Sequence, residues 1–135
     1  GVSRTSKTPT SIYLANRGYK TINIPLVLDQ KIPIDLESKK NKSCVIGLVA
    51  DPERLADIRR NRVAIMKEKN LNEYTDLNFI KEEVEKSKHL FKKNNWPIID
   101  VTRKSVEETA ASILKIFEII LASRSGVRKK ILDKY

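Results

Sequence analysis

The first eight residues, GVSRTSKT, carry the pattern with the clearest chemical content in the chain. A phosphate-binding loop reads glycine, any four residues, glycine, lysine, then serine or threonine. Gly1, Lys7 and Thr8 satisfy that pattern, and Ser6 stands where the second glycine is expected. Such a loop works because consecutive backbone N–H groups point inward at phosphate oxygens, and the helix that follows adds its N-terminal partial charge. Gly1, Val2, Ser3, Arg4, Thr5, Ser6, Lys7 and Thr8 are therefore the candidate nucleotide-binding residues, with Lys7 the candidate catalytic one. The Lys7 ammonium would reach the terminal phosphates, and the Thr8 hydroxyl would bind Mg²⁺ or a phosphate oxygen. Pro9 falls in the first helical turn, where a missing N–H costs nothing. Ser6 fits as a variant if its φ is negative, because glycine is used where the backbone takes values that a side chain resists.

A second basic cluster follows at Arg54, Arg59, Arg60 and Arg62. On a helix Arg54, Ile58 and Arg62 share one side, with Arg59 beside Arg62. Small phosphotransferases place arginines on such a segment to clamp phosphates, which makes Arg54 and Arg62 candidate phosphate contacts. The alternative is a solvated basic face paired with Glu53 and Asp57. Asp51 is either a metal-associated carboxylate or, more simply, the N-cap in front of Pro52. His89 lies among lysines within a helical pattern and reads as exposed; Cys44 reads as packing. Spacing alone assigns neither an acid–base pair nor metal ligands.

These groups need a scaffold. The stretch from Pro9 to Arg17 suits a short helix closed by Gly18, and Tyr19 to Leu28 is rich enough in β-branched and apolar residues for a strand, with Pro25 bending or ending its pairing. Asp29 to Ser43 reads as a long polar loop. Cys44 to Ala50 is a continuous apolar run, as in a strand buried on both faces of a parallel sheet, and a helix opens at Pro52. Lys67 to Tyr74 reads as a connection. Leu77, Ile80, Val84 and Phe91 recur on one face of a helix from about Asp76 to Lys93. Trp96 to Thr102 is a second short buried strand, and SVEE at Ser105 to Glu108 is a capping box opening the last helix. The tail from Arg124 is basic and weakly patterned. Strands alternating with helices imply an α/β fold: a P-loop kinase-like parallel sheet flanked by helices, in one nucleotide-binding domain over residues 1–135. A P-loop hangs from a central strand. None precedes Gly1, so the expectation is that the first strand belongs to a longer polypeptide, of which this is the carboxyl-terminal part.

Composition narrows the classes. The chain is 135 residues long, 40% hydrophobic and 33% charged, as expected of a globular domain. No apolar run reaches the roughly 20 residues that span a membrane. One cysteine excludes an internal disulfide framework and suggests a cytoplasmic setting; with a single histidine it cannot build a Cys/His zinc site. The net charge of +10 asks for an anionic partner and is split evenly, +5 in residues 1–42 and +5 in 43–135. There is no basic arm, and no basic stretch is interleaved with aromatics, so nucleic acid is not the expected partner.

The first 27 residues, GVSRTSKTPTSIYLANRGYKTINIPLV, resemble the pyruvate, phosphate dikinase regulatory protein family, which includes the phosphoenolpyruvate synthase regulatory proteins. GLVADPERLADIRRNR at Gly47 to Arg62 and VEETAASIL at Val106 to Leu114 are similar to it as well. Serine before Lys7 and Pro-Thr-Ser after Thr8 belong to that family's own pattern. The resemblance implies a bifunctional enzyme. It would use ADP to phosphorylate an active-site threonine of the dikinase, and inorganic phosphate to remove that group as pyrophosphate. It further implies that Gly1 to Thr8 bind ADP, and it leaves open a synthase as target, a homo-oligomer, and the identity of the general base. The isolated 135 residues are expected to be inactive. A non-catalytic nucleotide sensor is the alternative.

Overall fold

The computed structural model describes residues 1, 4–26, 43–66 and 72–124. Helix α1 spans Lys7–Ala15, strand β1 Gly47–Val49, helix α2 Pro52–Met66 and the single turn α3 Asn72–Thr75. Helix α4 spans Leu77–Lys93, strand β2 Ile98–Asp100 and helix α5 Val106–Arg124. The two strands pair in parallel, Gly47 opposite Ile98 and Val49 opposite Asp100. This is an α/β arrangement around a small parallel sheet, as the alternation of patterns implied.

Side chains of a strand alternate between its faces, and β1 uses both. At Gly47 an added β-carbon would overlap the Phe91 ring, so this position faces α4. Leu48 points the other way, into a groove that Ile113 and Phe117 of α5 also line. The core comprises Leu48, Val49, Leu55, Ala56, Ile80, Val84, Phe91 and Ile99 together with Ala50 and Val101. The stripe expected on α4 is the one buried: Ile80, Val84 and Phe91 lie inside, and Leu77 packs against them. Asp76 caps α4, its carboxylate accepting from Phe79 N–H at 2.9 Å. Ser105 caps α5, its hydroxyl accepting from Glu108 N–H at 3.1 Å.

Three expectations change. Residues 19–26 form no strand, although Gly1 N donates to Ile24 O at 2.8 Å and Leu26 N to Gly1 O at 3.0 Å. Those two bonds flank Pro25 in the manner of one parallel bridge, and one bridge is too little for a ladder; Val27 and Leu28 lie outside the described residues. The stretch read as a connection at Lys67 to Tyr74 contains the start of α3. Helix α1 begins two residues before Pro9 and ends at Ala15, with Gly18 at φ 89° turning the chain back. The polar loop over Asp29 to Lys42 and the tail beyond Arg124 lie outside the described residues.

Because α4 crosses β1 where only glycine leaves room for Phe91, Gly47→Ala is expected to destabilise the protein by about 1–3 kcal/mol through overpacking. The midpoint of a urea unfolding curve measures it; an unchanged midpoint would show that the ring moves aside freely.

Candidate functional site

The loop before α1 is held close to β1. A β-carbon on Gly1 would lie 3.0 Å from Leu48 Cβ, 3.1 Å from Thr5 Oγ1 and 3.2 Å from Leu48 O, a tight fit that a side chain would enter only if those neighbours gave way slightly. Thr5 is buried beneath the loop, while Arg4, Ser6 and Thr8 are exposed and Lys7 is half-buried. Val2 and Ser3 lie outside the described residues. Thr8 Oγ1 accepts from Asn23 Nδ2 at 2.9 Å, which leaves its proton and a second lone pair for a phosphate or a cation. Asn23 therefore belongs with the loop, although its motif gave no hint of it.

Ser6 corrects the sequence reading. Its φ is 59° and ψ 32°, the left-handed region, and Arg4 is left-handed too at φ 69°. The second glycine of the motif marks a left-handed position, and the serine adopts it regardless. The Ser6 side chain makes no capping bond to α1, and the first turn of α1 carries no acidic residue. Neither the N-cap side chain nor an acidic first-turn residue therefore meets the positive end of this helix.

Lys7 is the first residue of α1. Burial chiefly, then the charges of Arg59 and Arg4, pull its ammonium down from 10.5 to about 8, with Glu83 opposing them. Arg59 is the residue the sequence reading passed over. Its side chain is fully buried and forks onto Glu83, NH1 to Oε2 at 3.0 Å and NH2 to Oε1 at 2.8 Å. The signal was present in the helical stripes: Arg59 falls in line with Leu55 and Ala56, and Glu83 with Ile80 and Ser87. Each is a charge of opposite sign on a face that is otherwise buried.

Arg54 and Arg62 are both exposed on α2. Arg60 pairs loosely with Asp57 at 3.6 Å. Asp51 acts as the N-cap of α2, its Oδ2 accepting from Arg54 N–H at 3.1 Å. Asp100 accepts from both the N–H and the hydroxyl of Thr102, and Thr102 Oγ1 in turn accepts from Asp51 N–H. These bonds tie the carboxyl ends of the two strands together. Among the described residues no group of three His, Cys, Asp or Glu is placed to hold a metal ion. His89 is exposed, and burial pushes the Cys44 thiol up, which fits packing rather than nucleophilic chemistry. Below the loop lies a mostly apolar groove of about 500 Å³ between α1, residues 19–26, β1 and α5, with Lys7 at its edge. Among the described residues no helix is long and apolar enough to cross a membrane.

A loop carrying Arg4 and Lys7 thus stands at the N-terminus of α1 beside a parallel sheet, and family comparison specifies the class. The chain belongs to the kinase/pyrophosphorylase family, whose model matches residues 1–114. Similar proteins named as pyruvate, phosphate dikinase regulatory proteins occur in Pelagibacter ubique, 63% identical over 88% of this chain and 43% of the relative, and in Erythrobacter litoralis, 53% identical over 86% and 41%. A third, in Paramagnetospirillum magneticum, is 44% identical over 98% of this chain and 42% of its own length. The chain thus spans about two fifths of the length of the curated relatives it matches. No solved structure matches it.

Two measurements follow from the loop. Ser6→Gly is expected to raise stability by about 0.5–1 kcal/mol by removing the left-handed penalty, net of the glycine's extra unfolded-state entropy; a fall in melting temperature would refute the strain. Lys7 carries a cost of the opposite kind. Its folded pKa of about 8 lies below the ordinary 10.5, so charged Lys7 weakens the fold below pH 8, and that cost is relieved as pH rises from about 8 to about 10.5. Allowing for its partial exposure, Lys7→Met is expected to stabilise the ligand-free protein by about 1 kcal/mol at neutral pH, with the difference shrinking across that window.

Proposed function

We propose that this chain carries the nucleotide site of a bifunctional phosphotransferase that controls pyruvate, phosphate dikinase. In one direction ADP gives its β-phosphoryl group to a threonine hydroxyl of the dikinase, leaving AMP and phosphothreonine. In the other, inorganic phosphate takes the group from phosphothreonine, leaving threonine and pyrophosphate. The family supports the phosphotransferase class, and the names of the relatives support the target. The observation that carries the site is the setting of Lys7: half-buried, within the field of Arg4 and Arg59, on a helix end with no acidic first turn.

In both directions a phosphoryl group must be held beside the target hydroxyl while charge shifts between oxygens. The residues fit an anionic nucleotide. The loop from Gly1 to Thr8 would hold the ADP phosphates through backbone N–H groups, and Lys7 would offset charge on the moving group. Arg4 adds a second cation on the loop. Arg54 and Arg62 project from α2, where they suit either the transferred phosphate or the acidic surface of a protein substrate. Mg²⁺, when bound, would neutralise phosphate oxygens, and Thr8 is the residue that would hold it.

The test is transfer from ADP to purified dikinase by the full-length protein. Lys7→Met is expected to abolish it while leaving the protein folded. ADP bound without transfer would favour a sensor, and transfer to phosphoenolpyruvate synthase alone would reassign the target. Binding also has a pH signature. Below about pH 8 Lys7 is already charged and ADP affinity is flat; above it each molecule bound must also take up a proton, and affinity falls by up to about tenfold per pH unit. Calorimetric titration at several pH values reads this directly, and pH-independent binding would remove Lys7 from the phosphate site.

A further inference from the structure

Thr8 is the loop residue whose chemistry is easiest to misdirect. A threonine hydroxyl carries one proton and two lone pairs and turns freely about its bond. On a helix it commonly turns back and gives the proton to a carbonyl three or four residues earlier, which withholds that proton from a ligand. Here Asn23 Nδ2 donates to Thr8 Oγ1 at 2.9 Å. An amide NH₂ can only donate, so one lone pair is fixed on Asn23, and the proton and the other lone pair lie on the remaining sides of the oxygen.

Asn23 is itself held from both directions. Before it in sequence, Thr21 Oγ1 donates to Ser11 O of α1 at 3.0 Å. After it, Gly1 N donates to Ile24 O at 2.8 Å, and Leu26 N donates to Gly1 O at 3.0 Å. The backbone around Asn23 is therefore fastened to α1 on one side and to the first loop residue on the other, and the amide reaches Thr8 from a fixed place. Stability is a weak reason for the bond. Asn23 and Thr8 are both exposed, and each would find an equal partner in water. The residue type points the same way. An aspartate here would take the Thr8 proton and set a negative charge beside the loop, which would repel an anionic ligand. Asparagine supplies a donor of nearly the same shape with no charge.

We propose that Asn23 is a positioning residue of the phosphate site. By occupying one lone pair of Thr8 Oγ1, it holds the hydroxyl with its proton free for a phosphate oxygen and its second lone pair free for Mg²⁺. This rests on the phosphate-site reading given above. Asn23 does not touch the nucleotide. It acts through the Thr8 oxygen, so its contribution exists only while that oxygen is present.

The test is a double-mutant cycle on the full-length protein, with ADP affinity read by calorimetry in the presence of Mg²⁺ and again with Mg²⁺ chelated. Thr8→Val keeps the shape of the side chain and drops the hydroxyl. With Thr8 present, Asn23→Ala is expected to lower ADP affinity in Mg²⁺ on the order of tenfold, as loss of a group that orients a ligating side chain does. In the Thr8→Val background the same change is expected to alter affinity by less than about twofold, because both substitutions remove one interaction. Asn23→Asp is expected to bind ADP more weakly than Asn23→Ala when Mg²⁺ is chelated, where no cation offsets the added charge. Melting temperatures without ADP are expected to stay close to that of the wild type, since the bonds at Thr21, Ile24 and Leu26 still hold the segment. A merely structural role gives another pattern: a lowered melting temperature and an equal loss of affinity in both Thr8 backgrounds. That pattern would overturn the proposal, as would an ADP affinity left unchanged by Asn23→Ala or by Asn23→Asp. Failure of the wild-type protein to bind ADP would instead overturn the phosphate-site reading, and the proposal with it.

Discussion

The site depends on how closely the loop backbone approaches β1. Gly1 fits tightly between Leu48 and Thr5, its nitrogen donating to Ile24 O and its carbonyl accepting from Leu26 N–H. That contact sets where the loop can start. Six residues later α1 begins, so the place of its N-terminus and of Lys7 follows from the fit at Gly1. The rest of the molecule supports this seam: α4 backs β1 through Phe91, and α5 meets β2 and α1.

Around that seam the molecule accepts unfavourable local states. Two non-glycine residues of the loop are left-handed, a lysine is held where its charge is disfavoured, and an arginine is buried outright. Each runs against stability, by roughly 1–3 kcal/mol for a strained backbone residue. The strained residues lie in the loop and the buried arginine is matched by Glu83 of α4, while the caps of α4 and α5 follow ordinary rules. On the phosphate-site reading proposed above, such concentration would be preorganisation for an anion, with repulsion among the cations built in before the ligand arrives.

The sequence made some of this legible and hid the rest. Local rules located α4 nearly to the residue, because Asp76 as cap and the Ile80–Val84–Phe91 stripe are determined by one helix alone. They also found the cores of β1 and β2 and the capping of α5. The strand expected from Tyr19 did not follow from its β-branched composition, because a strand exists only with a partner, and among the described residues this segment pairs in that way with Gly1 alone. The Arg59–Glu83 pair escaped for a similar reason: each stripe marks its charge as lying on a buried face, but only the packing of α2 on α4 shows that the two meet. Ser6 was misjudged in conformation though not in location. Its family pattern explained the residue type, but a left-handed backbone is decided by the turn and not by the letter that occupies it.

Helix α1 is tied at both ends and along its length to the segment that returns beside it. Tyr19 N–H bonds Leu14 O after the turn at Gly18, Thr21 Oγ1 bonds Ser11 O, Asn23 bonds Thr8, and Ile24 bonds Gly1. The two stretches are buttoned together like the sides of a zip, each fastener matched to one on the facing edge. One residue added inside α1 would rotate everything beyond it by about 100° and lengthen it by about 1.5 Å, so the buttons would no longer line up. The spacing from Gly1 to Leu26 is therefore set by these bonds, and a residue inserted or removed within it would break their register.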